Sequence, residues 1–447
     1  MEICSESIKV QDILIRPNNT EYTRKVWKTL DGQLIRAKWP EHIDGQFGFH
    51  LKNYIISLYF DSHMTQPSIL RHLTEVGINI SSGEIHNTLV ENKGLFHKEK
   101  ENILKVGLRI SRSMTTDDTG LRHRGANGYC THIGNEFFAY FKSSNSKSRI
   151  NFMEILRGKD TGYLISGYSV DYYKNQKLSE NTLRILSASK GREFKNKSEW
   201  EKYLKILGIR DDFSARKATE GALLGVIMKK IKTGLAIVSD DAGQFDILRH
   251  GLCWVHSERC ITSLHCVSYD QDQLIKDILE KYWGLFRRLH EYKRNPTNGS
   301  RKKINADFDD LFTMKTEMLS LNKALASLFK KKRELLLVLE EPEIPLTNNI
   351  SEGDIRDQAK KRKISAGTRS EAGRKARDTF MSLQKTCKKL GISFHDYLHD
   401  RLSGANQIPY MTKLMKTKAR IIYKALPDYY YVFSSKGLGF NFLCKAI

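Results

Sequence analysis

The chain has too few cysteines, too badly spaced, for a disulfide framework. There are seven in 447 residues (Cys4, Cys130, Cys253, Cys260, Cys266, Cys387 and Cys444), an odd number with no Cys-x-x-Cys pair, which fits a reducing compartment. No apolar run approaches the roughly 18 residues a membrane-spanning helix needs, and no signal-peptide pattern opens the sequence. Long-period repeats and low-complexity tracts are also missing. Acid is in short supply, with 51 Asp+Glu against 74 Lys+Arg and a formal net charge of +23. A surplus of that size calls for a polyanionic partner held through counterion release. An anionic membrane surface would also attract it, but without a membrane segment nucleic acid is preferred. What is present is 40% hydrophobic and 10% aromatic, the composition of a folded protein, and the length implies two to four modules.

Along the chain, residues 1–45 alternate polar and apolar positions and read as a β arm with a short hairpin. Residues 46–98 read as helical. Within them, Pro67 opens one helix, Gly77 stops it, and Ser81 with Glu84 forms a capping box for the next. Two short helices about a glycine turn fit a DNA-binding helix-turn-helix, and equally an ordinary helical hairpin. From 99 to 256 a charged helix leads to a strand ending at Asp117. Two strands follow, joined at Gly134-Asn135, then a helix over Ser148–Leu156, a strand over Gly162–Tyr168 and the short buried strand Leu235–Val238. Strands interspersed with helices predict an α/β sheet, whose sites gather at strand termini. Residues 257–343 carry charged helical periodicity and read as an insertion. Two helices follow within 344–400, and residues 401–447 form a basic tail.

Three acidic positions carry the chemistry. Asp117 and Asp240 stand at predicted strand ends, in Thr116-Asp117-Asp118-Thr119 and Ser239-Asp240-Asp241-Ala242. Glu352 lies in the first turn of a helix opened by Thr347-Asn348-Asn349, where it could serve as a cap or as a metal ligand. Convergent carboxylates suit magnesium, a hard ion that takes oxygen ligands. Both aspartates are doubled, so Asp118 and Asp241 are alternates, and Asp171 competes as another acid after a strand. Cys253-x-x-His256, with Cys260, His265 and Cys266 nearby, fits no standard four-ligand zinc spacing and reads as a structural turn. Between Gly353 and Arg377 there are nine Lys/Arg against three Asp/Glu, and from Pro409 to Ile447 seven against one. Lys361-Arg362-Lys363 and Arg374-Lys375 are thus expected to meet a phosphate backbone, the alternative being a solvated face.

These residues resemble the bacterial insertion-sequence-sixty-six transposases. The likeness runs through Asp117-Asp118-Thr119, Ser239-Asp240 to Phe245-Asp246 and Cys253-Trp254-Val255-His256. It continues in Pro345-Leu346-Thr347-Asn348-Asn349 to Glu352, Arg356, Lys361-Arg362-Lys363, Ala366-Gly367, Ser382 to Lys388 and Asp396-Tyr397-Leu398. The pieces occur in the family's order over roughly residues 48–400. The resemblance implies a ribonuclease-H-like mixed sheet with a helical insertion, and an Asp-Asp-Glu triad of Asp117, Asp240 and Glu352 as catalytic metal ligands. It also implies two Mg2+ ions with Mn2+ able to substitute, contacts to DNA from Arg356 as well as the basic runs, and homo-oligomers on double-stranded DNA. The setting it implies is the bacterial cytoplasm, at the nucleoid. One departure is plain: the cysteine-rich N-terminal metal module of many members is absent, since only Cys4 precedes Cys130. The expected reaction is cleavage at element ends and strand transfer into target DNA. The competing expectations are a catalytically silent DNA-binding relative and a nuclease that cleaves without joining.

Overall fold

The computed structural model describes residues 6–40, 45–231 and 234–424. In chain order the strands are β1 (Val26–Lys28), β2 (Leu34–Arg36), β3 (Ser113–His123), β4 (Ala126–Gly134), β5 (Ala139–Ser144), β6 (Tyr163–Leu164), β7 (Glu193–Phe194), β8 (Ala236–Ser239) and β9 (Arg249–Leu252). The helices are α1 (Phe49–Phe60), α2 (Gln66–Glu75), α3 (Ser82–Val90), α4 (Gly94–Ile110), α5 (Arg149–Arg157), α6 (Gly167–Lys174), α7 (Glu180–Ala188), α8 (Lys197–Ile206) and α9 (Asp212–Met228). They continue with α10 (Trp254–Thr262), α11 (Tyr269–Arg294), α12 (Asn298–Phe312), α13 (Leu319–Lys330), α14 (Lys332–Leu335), α15 (Asn349–Ser365), α16 (Glu371–Leu390), α17 (Phe394–Ser403) and α18 (Met411–Lys424). Among the described residues no helix is long and apolar enough to cross a membrane.

The described residues divide into two units. One runs to Asn92 and takes in Ser393–Ile408; the other comprises Lys93–Ile392 and the chain from Pro409 onward. In the first unit β1 and β2 pair antiparallel as the expected hairpin, with every residue exposed. Thr65 caps α2 through the Ser68 amide and Ser81 caps α3 through the Glu84 amide, with Gly77 at φ 84° between them. Asn53 of α1 donates to the His395 carbonyl and helps hold α17. The expected segment 344–400 is therefore split, because its last helix, α17, packs on α1 within the first unit. Likewise α4, expected to begin the sheet region at 99, starts it at Gly94.

The second unit is built on a five-stranded sheet of order β5-β4-β3-β8-β9. The first three strands form an antiparallel meander, while β8 runs parallel to β3 and β9 parallel to β8. Arg124 and Gly125 link β3 to β4 with φ of 51° and 80°, the two left-handed residues a tight hairpin requires. Strand β3 does not end at Asp117 as expected. Its pairing with β8 stops at Thr115, but its pairing with β4 continues to His123, so the hairpin carries the acid mid-strand. All four residues of β8 are buried, which matches its apolar sequence. The strand expected over Gly162–Tyr168 shrinks to Tyr163–Leu164, which pairs with β7 in a separate small sheet. Ser166 then caps α6 and ends the strand early.

β5 is an edge strand, and α16 closes it. The amides of Ala139, Phe141 and Ser143 donate to Thr386 Oγ1, Ser382 Oγ and Asp378 Oδ2 at 3.2, 2.9 and 2.8 Å. Alternate strand residues thus meet helix residues four apart, so the edge exposes no free template for another strand. Helices α10 to α14 form the expected insertion around their own core, which includes Trp254, Tyr282, Phe308, Phe312 and Leu321. Trp254 Nε1 donates to the Leu335 carbonyl and Tyr282 Oη to that of Trp254, at 2.9 and 2.8 Å. The tail expected over 401–447 is described to Lys424: residues 401–403 end α17 in the first unit and the amphipathic α18 begins at Met411; the remainder lies outside the described residues.

Candidate active site

Parallel pairing sets the first two acids side by side. Thr115 is opposite Val238, so Asp117 and Asp240 stand two residues beyond the last pair on adjacent strands. Asp117 lies opposite His132 on β4, and Asp118 opposite Thr131; alternation along the strand sends the two aspartates to opposite faces. On the Asp117 side, α15 docks by its first turn. Ser351 Oγ meets Thr115 Oγ1 at 2.7 Å and His132 Nδ1 at 2.9 Å, so the residue before Glu352 is tied to both β3 and β4.

Below that turn, Asp354 sits 3.0 Å from His132 Nε2 and 2.9 Å from Lys389 Nζ. Burial alone would raise its carboxyl, but the His132 and Lys389 contacts more than offset that and hold it at about 2.

Charge gathers at Asp117. Burial pushes its carboxyl up to about 6, opposed by the Asp118 amide that donates to it at 2.7 Å, while the charges of Asp240, Asp118 and Glu352 add to the rise. One carboxyl therefore feels all three other acids. Asp118 is also raised by burial, but its oxygens are engaged: Thr131 Oγ1 donates at 2.5 Å and Gln244 Nε2 at 2.9 Å. Asp241 is paired with Lys331 of the insertion. Asp171 lies on α6 and pairs with Lys174 at 3.4 Å.

Glu352 stands 3.5 Å from His256 Nε2 and 3.6 Å from Arg356 Nη2. Its Oε1 is buried and accepts no hydrogen bond. Cys253 is the buried residue that begins α10, its thiol raised by burial and, further down, by the Glu352 charge. The Cys253-x-x-His256 turn thus carries His256 to the third acid.

Among the described residues no three His, Cys, Asp or Glu side chains are gathered into a metal-holding cluster as they stand. The donor set nevertheless fits a hard divalent cation: it is all oxygen, short of counter-charge at Asp117, and includes a buried Glu352 oxygen that accepts no hydrogen bond, with His256 beside it at 3.5 Å.

The basic runs separate on folding. Arg356 is 73% exposed and Lys363 and Lys375 are exposed. Lys361, expected at DNA, is instead fully buried, with its ammonium lowered to about 7 by burial and by Arg377. Arg362 reaches the Gly120 carbonyl and ties α15 to β3. Arg374 bonds Asn145 at 3.0 Å and Glu371 at 2.7 Å. Sequence reasoning missed His132, Ser351 and Gln244, since no spacing marks a residue that supports a site from another strand.

The family described as "Transposase IS66 family" matches residues 228–376, a stretch that holds Asp240 and Glu352. "Uncharacterized protein y4jO" of Sinorhizobium fredii (strain NBRC 101917 / NGR234) is 38% identical over 321 residues, 71% of this chain and 100% of that protein. The chain belongs to the IS66 transposase family. No solved structure matches this IS66-family chain.

Proposed function

We propose that this IS66-family transposase cleaves the ends of a DNA element and transfers the freed strands to target DNA, with Asp117, Asp240 and Glu352 as the acids of the reaction. The observation that carries the reading is the register of β3 and β8, which sets Asp117 and Asp240 side by side, with the turn that bears Glu352 tied to β3 and β4 through Ser351; the rise of Asp117 under burial and its acidic neighbours agrees with it. The sheet order, a three-strand meander extended by two parallel strands, supports a ribonuclease-H-like core. The capped helices α2 and α3 about Gly77 support a helix-turn-helix for DNA.

Asp117, Asp240 and Glu352 would hold Mg2+, or Mn2+ in its place. When bound, a pair of such ions supplies the positive charge that stabilises the attacking and leaving oxygens of in-line phosphoryl transfer. The chain's own side chains do the rest. Thr115, His132 and Ser351 fix the helix turn that bears Glu352. Asp118, bonded to Thr131 and Gln244, holds the loop after Asp240 against β4. Arg356, exposed beside Glu352, would meet a phosphate of the bound strand.

The test is a purified chain with Mg2+ on element-end DNA. Asp117→Ala, Asp240→Ala and Glu352→Gln should each lower cleavage at least ~100-fold, and Asp118→Asn much less. Wild-type cutting by all three would sink the assignment. Nicks without joined products would identify a nuclease in place of a transposase.

A further inference from the structure

A second concave surface in the sheet unit is assembled from segments far apart in sequence. A cleft of about 320 Å³ opens between α4, β5, the turn after α5 and the first turn of α16. Five Lys/Arg side chains line it (Lys100, Lys142, Lys159, Arg374 and Lys375) against three acids. The acids are already engaged. Asp378 accepts from the Ser143 amide and hydroxyl at 2.8 and 2.5 Å. Glu371 takes Arg374 at 2.7 Å and His123 at 2.8 Å, and Glu101 takes the Tyr140 hydroxyl at 3.3 Å and lies 3.8 Å from Lys100.

Among the described residues no carboxylate pairs with Lys142, Lys159 or Lys375, which are all exposed on three separate segments. Lys100 forms part of the wall, 3% exposed, with its ammonium 4.3 Å from the centre of the Tyr140 ring. The cleft also receives the N-terminal turn of the 20-residue α16, whose dipole adds positive potential. The field is concentrated: burial and then Lys375, Lys100, Lys93 and Lys159 hold His97 at about 4.

We propose that this cleft binds backbone phosphates of the DNA on which the acids act, with Lys142, Lys159 and Lys375 as its phosphate-binding cations. The inference rests on the DNA-transposase reading and adds to it a docking site that no run of sequence displays. Position agrees, since β5 lies two strands from β3, about 10 Å at the usual spacing. A free nucleotide is the poorer fit because no Phe, Tyr or Trp lines the cleft and its one ring, His97, is partly buried and bonded to Thr379 Oγ1 at 2.8 Å, which leaves a base little to stack on. Backbone phosphates need only cations.

The test measures Kd of the full chain for duplex DNA across a salt series. Lys142→Gln/Lys159→Gln/Lys375→Gln should reduce the log–log slope by about 3, at roughly 0.9 for each phosphate that is no longer neutralised. A control, Lys174→Gln/Lys197→Gln/Lys276→Gln, removes exposed lysines paired on their own helices and should leave the slope nearly intact. A wild-type slope in the cleft variant, or an equal fall in the control, overturns the proposal. So does ATP binding that is sensitive to the cleft variant while its DNA slope stays unchanged. The measurement needs no chemistry, so it remains decisive even if the acid variants show that the active-site assignment is wrong.

Discussion

His97 shows how one side chain reports the field around it. Its ring is partly buried and surrounded by lysines, and it bonds Thr379 Oγ1 at 2.8 Å. The folded value is about 4 against 6.5 for the free side chain. The unfolded chain therefore takes up the proton first as pH falls. Stability from this group is full above 6.5, drops as pH falls through the window from 6.5 to about 4, and levels off below that. His97→Gln should remove about 1–3 kcal/mol of that acid loss. The check is the thermal midpoint on either side of that window: the variant should narrow the gap between the two, and an unchanged gap would refute the assignment. At this scale the sequence showed which residue types were present but not their surroundings. Lys361 and Lys363 look alike in the run Lys361-Arg362-Lys363, yet helical rotation buries one and exposes the other. Asp117 and Asp118 are likewise neighbours in sequence and opposite in the sheet.

At the scale of elements much was readable. The insertion, the helix of Glu352, the hairpins and the buried strand before Asp240 all follow from period and capping residues. Strand limits were less so: Asp117 punctuates the sequence, but hydrogen bonding to β4 overrides that local signal and carries β3 on to His123. The motif from Ser382 to Lys388 gains a physical meaning only in the fold, where Ser382 and Thr386 close the edge of β5. Ser382→Ala should leave the Phe141 amide buried without an acceptor, costing about 1–3 kcal/mol. Denaturant unfolding should show the loss, while DNA affinity stays at the wild-type value. A fall in affinity without a fall in stability would contradict this role.

For the whole molecule, the balance of +23 is a statement about partners, and its measurable form is salt dependence. An interface neutralising about six or more phosphates loses roughly 10³-fold or more in affinity between about 50 and 200 mM salt. The full chain should fall at least that steeply on non-specific duplex DNA, and a shallow curve would show that its charge serves some other purpose. Composition pointed to this level of behaviour but could not locate it. The cations that converge on the α16 cleft come from positions as distant as Lys100 and Lys375, and only the tertiary arrangement collects them.

The tie of Ser351 to Thr115 and His132 has a mechanical corollary. With its first turn bolted to two strands, α15 is the fixed jaw of a vice, and Glu352 cannot swing without dragging the sheet. The loop after Asp240 is fastened as well, by Gln244 to Asp118 of β3 at 2.9 Å and by Asp241 to Lys331 of the insertion, so both sides of the acid site are clamped to the one sheet.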